Sequence, residues 1–393
     1  MDSFTHTWVG WAVGRCFPEE RWGRWVAPVA MVSANLPDFE VFFVRASDRP
    51  FYLLHHRGWS HSILGIAAEA LVFSALIFAV LAWLHRRAKR SDAAPPQRRI
   101  GRPRFGAVLL LVSVEATLHL FLDWWNTYGV RPFYPFDETW YYGDLAFILD
   151  PWIWLILGLF LSIGSRTRRR QQAWAGPLGV AAARRLWALV VAHWLLNGVA
   201  AIVLLIFFAH YGLIGTATVW VWGGGFAAAC VFVRYAPAWA PRPCAAAALL
   251  IIAGYIALLG IWSRSAVDVA IDEHGPGILA SELIIQSSAN PVPVIPWRRE
   301  VIIETRRTIH QISVNALTGR VVGTSRRPRN LDAPELSHIS DTPQFIAWRS
   351  FARHPIVERR SGRLVLGDAR YQLTRRRRDW SALEVRVPIR SGR

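Results

Sequence analysis

Six long apolar stretches constrain this chain more than any other feature. Residues 62–83, 105–123, 145–163, 186–209, 213–233 and 245–262 are each mostly apolar. Each is close to the roughly 20 residues that a helix needs to cross a bilayer. The expected fold class is therefore mostly α: a polytopic helical membrane bundle. The chain carries a formal net charge of +18, and the basic excess is arginine, with Lys89 the single lysine. In a soluble protein such a balance points to nucleic acid. Beside apolar spans, arginine-rich short loops record orientation instead. Membrane lipids are thus the expected partners, and no specific nucleic-acid partner is expected. The run RRRR at 375–378 reads as a solvated face. Cys16, Cys230 and Cys244 are scattered and form no CxxC pair, which excludes a disulfide framework.

The basic loops 85–104 and 165–172, the pair Arg184 and Arg185, and the loop 234–243 can all lie on the cytoplasmic side of one alternating path. The segment 124–144 and the histidines of HHRGWSHS (residues 55–62) then lie outside. The opening MDSFTHTWVGWAVG has no basic region before an apolar core, so it does not read as a secretory signal and His6 is expected to remain. Residues 6–17 and 25–36 are too short to span; a dozen residues make a helix of about 18 Å. They read as a hairpin with His6 at its entry and Asp38 at its exit. After residue 262, stretches such as RLVLGDARYQL alternate apolar with polar residues and suggest a small β-rich domain. The expected organisation is a metal-site membrane unit over 1–165, three further spans over 184–263, and an extracytoplasmic β-rich domain over 264–393.

The chemistry-bearing residues sit at the edges of the first two spans. In LHLFLDWWNTYG, His119 and Asp123 are four residues apart and share a helix face, with Glu115 one turn earlier. Glu69 shares a face with His61 on the preceding span. Ionisable groups on apolar spans are costly unless paired, wet or metal-bound. LPDFE adds Asp38 and Glu40, and His6, His55 and His56 complete a mixed imidazole and carboxylate set. Such donors suit divalent ions, zinc first, with manganese or iron as alternatives. Ions held this way acidify water and polarise a phosphoryl or carbonyl oxygen. Plainer roles fit other residues: Ser62 as the cap of its span, Asp150 before Pro151 as another cap, and the Trp-rich stretch after Asp123 as an interfacial belt. Whether His55, Glu69, Glu115 and Asp144 join a site stays open.

MDSFTH, LPDFE, HHRGWSHS and HLFLDWWNTYG resemble, in order, the MDxxTH, LPDxD, HRGxTHS and HxxxD…G blocks of the DUF457 family. That family comprises bacterial inner-membrane proteins described as metal-dependent hydrolases, of the LexA-regulated YdjM type. The resemblance covers roughly residues 1–155. It is grouped distantly with the helical zinc phospholipase C and P1-type nuclease fold. It implies His6, Asp38, His56, His61, His119 and Asp123 as metal ligands, with Arg57 facing substrate or bracing a carboxylate. Glu40 stands where the family has Asp, and Ser60 where it has Thr.

HExxH and GxSxG are absent, which argues against an intramembrane zincin and a serine esterase, and no Walker A or GxGxxG motif supports nucleotide binding. The expected function is a membrane-bound hydrolase acting on a phosphoester, with a lipid as one candidate substrate, at the outer face of the inner membrane. Asp38 or Glu40 would be the general base and Arg57 would stabilise the developing oxyanion. The rivals are a non-catalytic membrane protein with a structural metal or polar site, and an ion or proton carrier using Glu69, Glu115 and His119.

Overall fold

The computed structural model describes residues 1–43, 48–90, 103–172, 177–210, 214–236, 239–360, 362–371 and 381–386. The run at 375–378 and most of the loop 85–104 lie outside the described residues. Helix α1 (Ser3–Cys16) is followed by a short α2 (Glu19–Trp22) and by α3 (Val26–Ser33). The Asp2 side chain caps α1 by accepting from the backbone N–H groups of Phe4 and Thr5. Gly10 and Gly14 let α3 lie directly against α1. A Cβ on Gly10 would come within 2.7 Å of the Ala30 carbonyl oxygen, and one on Gly14 within 2.7 Å of Ala27 Cα. The pairing of Gly10 with Ala30 and Gly14 with Ala27 makes the two helices antiparallel. This is the small-residue packing of membrane helices, in which backbones approach because side chains do not intervene. It carries the chain back beside its own start.

Next come α4 (Arg49–His55), α5 (Ile63–Arg90), α6 (Phe105–Trp124), α7 (Pro151–Gln172), α8 (Pro177–His210), α9 (Thr216–Tyr235) and α10 (Pro241–Leu279). Among the described residues, four helices are long and apolar enough to cross a membrane: Ile63–Arg87, Phe105–Trp124, Thr216–Tyr235 and Pro241–Leu279. Pro151–Ser165 and Trp194–His210 are shorter apolar helices. The stretch 145–163 becomes helical only at Pro151, where Asp150 caps the helix and residues 145 and 146 instead donate to the Trp125 carbonyl. One apolar core joins α1 to α7, α8, α9 and α10, and a second joins α3 to α5 and α6. The hairpin is the seam between them.

The helix expected over 245–262 runs on to Leu279, and strands begin at Ile284 rather than at 264. The cause is packing: Ala266, Ala270 and Ile278 on this extension are buried against Ala289, Val301, Ile303, Ile312 and Val314 of the sheet. Strands β1 (Ile284–Val292), β2 (Ile295–Thr305), β3 (Thr308–Asn315) and β4 (Arg320–Pro328) form an antiparallel sheet in sequence order. After α11 (Pro343–Phe351), strands β5 (Pro355–Arg360), β6 (Arg363–Asp368) and β7 (Leu383–Arg386) form a second sheet. Alternation along β2 sends Val301 and Ile303 to α10 and Ile302 to Ile356 of β5 in the second sheet. His354 links the two parts, bonding Ser288 at 2.8 Å and Glu304 at 2.8 Å. Ser288 and His354 are buried inside the domain, so this serine, imidazole and carboxylate chain acts as a structural tie.

Gly10→Val should wedge α1 from α3 at a backbone contact. The expected loss is about 1–3 kcal/mol, the usual cost of overpacking, read as a lower unfolding midpoint in detergent. An unchanged midpoint would contradict the close approach.

Candidate metal centre

Four segments build the site. The 3₁₀ turn Pro37–Phe42 follows α3 and carries Asp38 and Glu40. The turn Trp59–His61 carries His61 just before α5. Helix α6 presents His119 and Asp123 on one buried face. Helix α1 contributes His6, whose ring stacks on His119 with centroids 3.8 Å apart.

Asp38, His61, His119 and Asp123 each offer a donor atom to one point. His61 Nε2 lies 3.5 Å from Asp38 Oδ1 and 3.2 Å from Asp123 Oδ2. His119 Nε2 lies 3.5 Å from each of the same two oxygens. The two Nε2 atoms are 3.2 Å apart. A tetrahedron with metal–ligand bonds of about 2.0–2.1 Å has edges of about 3.3–3.4 Å. Five of the six donor–donor separations, 3.2–3.5 Å, are close to the edges of a four-coordinate metal site. His61, His119 and Asp123 are fully buried, while the Asp38 side chain is 24% exposed.

The outer contacts fix which nitrogens face inward. His119 Nδ1 lies 2.7 Å from the Ala34 carbonyl, which can only accept, so the proton sits on Nδ1 and the Nε2 lone pair points at the cage. Ser60 Oγ donates to Glu40 Oε2 at 2.5 Å and therefore accepts from His61 Nδ1 at 2.8 Å. In the neutral ring the His61 Nε2 lone pair then faces the cage as well. When neutral, both imidazoles present the tautomer that a metal requires.

Glu40 is one layer out. It accepts from His56 Nδ1 at 2.9 Å, from the Arg57 backbone N–H at 2.6 Å and from Ser60, so its oxygens are engaged. Arg57 can donate its N–H there because its backbone is left-handed, with φ of 60°. Its side chain turns the other way, placing Nη2 3.1 Å from Asp123 Oδ2. His6 Nε2 is 3.3 Å from Asp123 Oδ1, and the Met1 amino group also contacts that oxygen.

The charges follow from these contacts. Burial alone would push Asp38 up, and its contacts with His119 and His61 hold it well below the usual carboxylate range. Burial likewise raises Glu40, but His56, His61 and Ser60 outweigh it and bring it to about 2. Burial would lower His61, yet Asp123, Asp38 and Glu40 push it up to about 9. The pocket draws positive charge.

Of the residues singled out from the sequence, Asp38, His61, His119 and Asp123 converge in the cage. His6 touches it through Asp123 and His119, and His56 is turned to Glu40. His55 packs on Phe51 with centroids 4.2 Å apart. Asp144 pairs with Arg353 at 2.6 Å. Glu115 is fully buried, and neither of its oxygens finds a partner among the described residues. Sequence reasoning passed over the Ala34 carbonyl, which leaves no signal, and Gly10 and Gly14, whose spacing in GWAVG could have been read.

This fold and cage define a mostly helical protein with helices long and apolar enough to cross a membrane and a site whose donors could hold a metal ion. The chain belongs to the YdjM inner membrane protein family, whose match spans residues 1–266. It is also similar to the uncharacterized protein YfhP of Bacillus subtilis, at 24% identity over 162 residues, or 39% of this chain and 43% of that protein. The chain thus spans under half the length of that relative. No solved structure matches.

Purified protein should carry divalent metal, and His61→Ala and Asp123→Ala should lose most of it. His56→Ala, which removes an outer partner, should weaken binding by about tenfold. Elemental analysis with metal titration checks this; equal metal content in all variants would contradict the cage.

Proposed function

We propose that this chain is a membrane-bound, metal-dependent hydrolase acting on a phosphoester carried by a lipid or similar amphiphile. The observation that carries the reading is the cage of Asp38, His61, His119 and Asp123, at tetrahedral spacing with both Nε2 lone pairs turned inward. A divalent ion, zinc by donor set and size, supplies Lewis acidity toward a phosphoryl oxygen and acidifies water at neutral pH. His61, His119 and Asp123 would hold it. Asp38, the partly exposed member, would take a proton from incoming water when it is not itself bound to the ion. Glu40 orients His61 through Ser60, and Arg57 fixes Asp123 while adding positive charge. A closed structural site uses only as many ligands as its metal needs. The further imidazoles and carboxylate around this one favour catalysis.

Exposed aromatic rings beside the site support an amphiphile. Asp38 and Glu40 share their turn with Phe39, Val41 and Phe42, Phe43 follows it, and Phe42 and Phe43 are 81% and 73% exposed. Phe39 packs against Phe73 of α5 with centroids 6.2 Å apart. An acyl chain laid on these rings brings its headgroup to Asp38. Metal-loaded protein should hydrolyse at least one of a phosphomonoester, phosphodiester or phospholipid panel, and Asp123→Ala should remove that activity. Phe42→Ser with Phe43→Ser should raise KM for long-chain substrates alone. No turnover of any member by metal-loaded protein would contradict the hydrolase.

The arginine loops support placing the site and the β-rich domain outside the inner membrane. An Asp137→Cys variant in intact cells should then react with a membrane-impermeant maleimide. Reaction only after permeabilisation would invert the topology.

A further inference from the structure

The family match ends at residue 266, yet residues beyond it, Phe351 at the end of α11 and Arg370 just after β6, reach the turn beside the metal centre. The meeting place is the turn 126–129 after α6. On its inner side, Arg57 Nη1 donates to the Asp123 carbonyl at 3.2 Å, Asn126 Oδ1 at 3.3 Å and the Gly129 carbonyl at 3.1 Å. The Arg57 guanidinium lies 4.6 Å from the centre of the Tyr128 ring, and the His56 ring meets the same ring at 5.3 Å. On its outer side, Arg370 Nη1 donates to the Thr127 carbonyl at 2.7 Å, and the Phe351 ring lies 4.9 Å from Tyr128. Arg370 is itself locked by Asp368 at 2.8 Å and by the Phe351 carbonyl at 3.0 Å. Tyr128 is a plate with metal-centre residues on one side and the carboxy-terminal domain on the other.

We propose that the carboxy-terminal domain is a working part of the metal centre, because its grip on Thr127 and Tyr128 holds Arg57 against Asp123. Arg57 and Tyr128 are positioning residues here. Asp123 Oδ2 serves both the cage and Arg57 Nη2, so the place of the guanidinium sets how that oxygen is presented. Arg57 needs the support. Its backbone is left-handed, which a side chain with a Cβ adopts only when its surroundings enforce it. Its charge is buried, which demands that every partner stay in place. The turn supplies those partners, and Arg370 and Phe351 hold the turn. The role extends to an added domain the tuning that metal sites usually take from neighbouring side chains.

This inference rests on the reading of Asp123 as a metal ligand, and cobalt separates the two. Full-length protein is titrated with Co²⁺, and visible absorption is followed for wild type, Tyr128→Leu, Tyr128→Phe and Arg370→Lys. Tyr128→Leu should weaken Co²⁺ binding about tenfold and shift the cobalt bands. Tyr128→Phe, which keeps the ring under Arg57, should restore both. A purely structural lesion would lower the melting temperature and leave the spectrum of the folded fraction unchanged, which overturns the proposal. Wild-type binding and bands in Tyr128→Leu overturn it too, with the metal centre intact. No cobalt uptake by wild type sinks the centre and the proposal together. If Tyr128→Leu does not fold, Arg370→Lys probes the same grip through Thr127: weaker, shifted cobalt binding supports it, and an unchanged titration overturns it.

Discussion

Two carboxylates and two imidazoles drawn together inside a membrane protein must be matched by positive charge. Three of the four cage residues are fully buried, and only Asp38 meets the opening. Leaving such groups uncompensated costs several kcal/mol. Protons can supply the charge, as the upward push on His61 indicates. A divalent cation supplies it in one step and fits the spacing. Much of the surrounding structure serves to make that pocket.

Close backbone contact comes first. α1 and α3 can touch at Gly10 and Gly14, so the chain doubles back and delivers Ala34 to His119 and Asp38 to the cage. A second layer then orients the donors. Glu40 gathers His56, Ser60 and the Arg57 backbone, and Ser60 passes that order to His61. A third layer comes from the carboxy-terminal domain, anchored on the long helix α10 and pressed on Tyr128 through Phe351. Each layer restricts the one inside it. The domain also bonds the membrane unit directly, with Arg299 donating to the Leu145 and Leu259 carbonyls and Arg353 pairing with Asp144.

Local periodicity made part of this legible in the sequence. His119 and Asp123 at helical spacing could only share a face, and the apolar runs marked most of the long helices. The return of Asp38 toward His6 followed from a hairpin too short to span. Three features were not legible. The inward turn of the His119 and His61 nitrogens depends on a backbone carbonyl and a serine, which carry no pattern. The Arg57 N–H contact to Glu40 comes from a left-handed backbone, which no residue type announces. The length of α10 depends on the sheet that buries Ala266 and Ala270, a tertiary effect outside any local window.

X-ray absorption at the edge of the metal that copurifies with the wild-type protein tests the central claim most directly. The cage predicts nitrogen and oxygen ligands only, about four in number at about 2.0–2.1 Å, with the outer-shell scattering of two imidazoles. Sulfur in the first shell, or a hexa-aquo spectrum of loosely held ion, would contradict it.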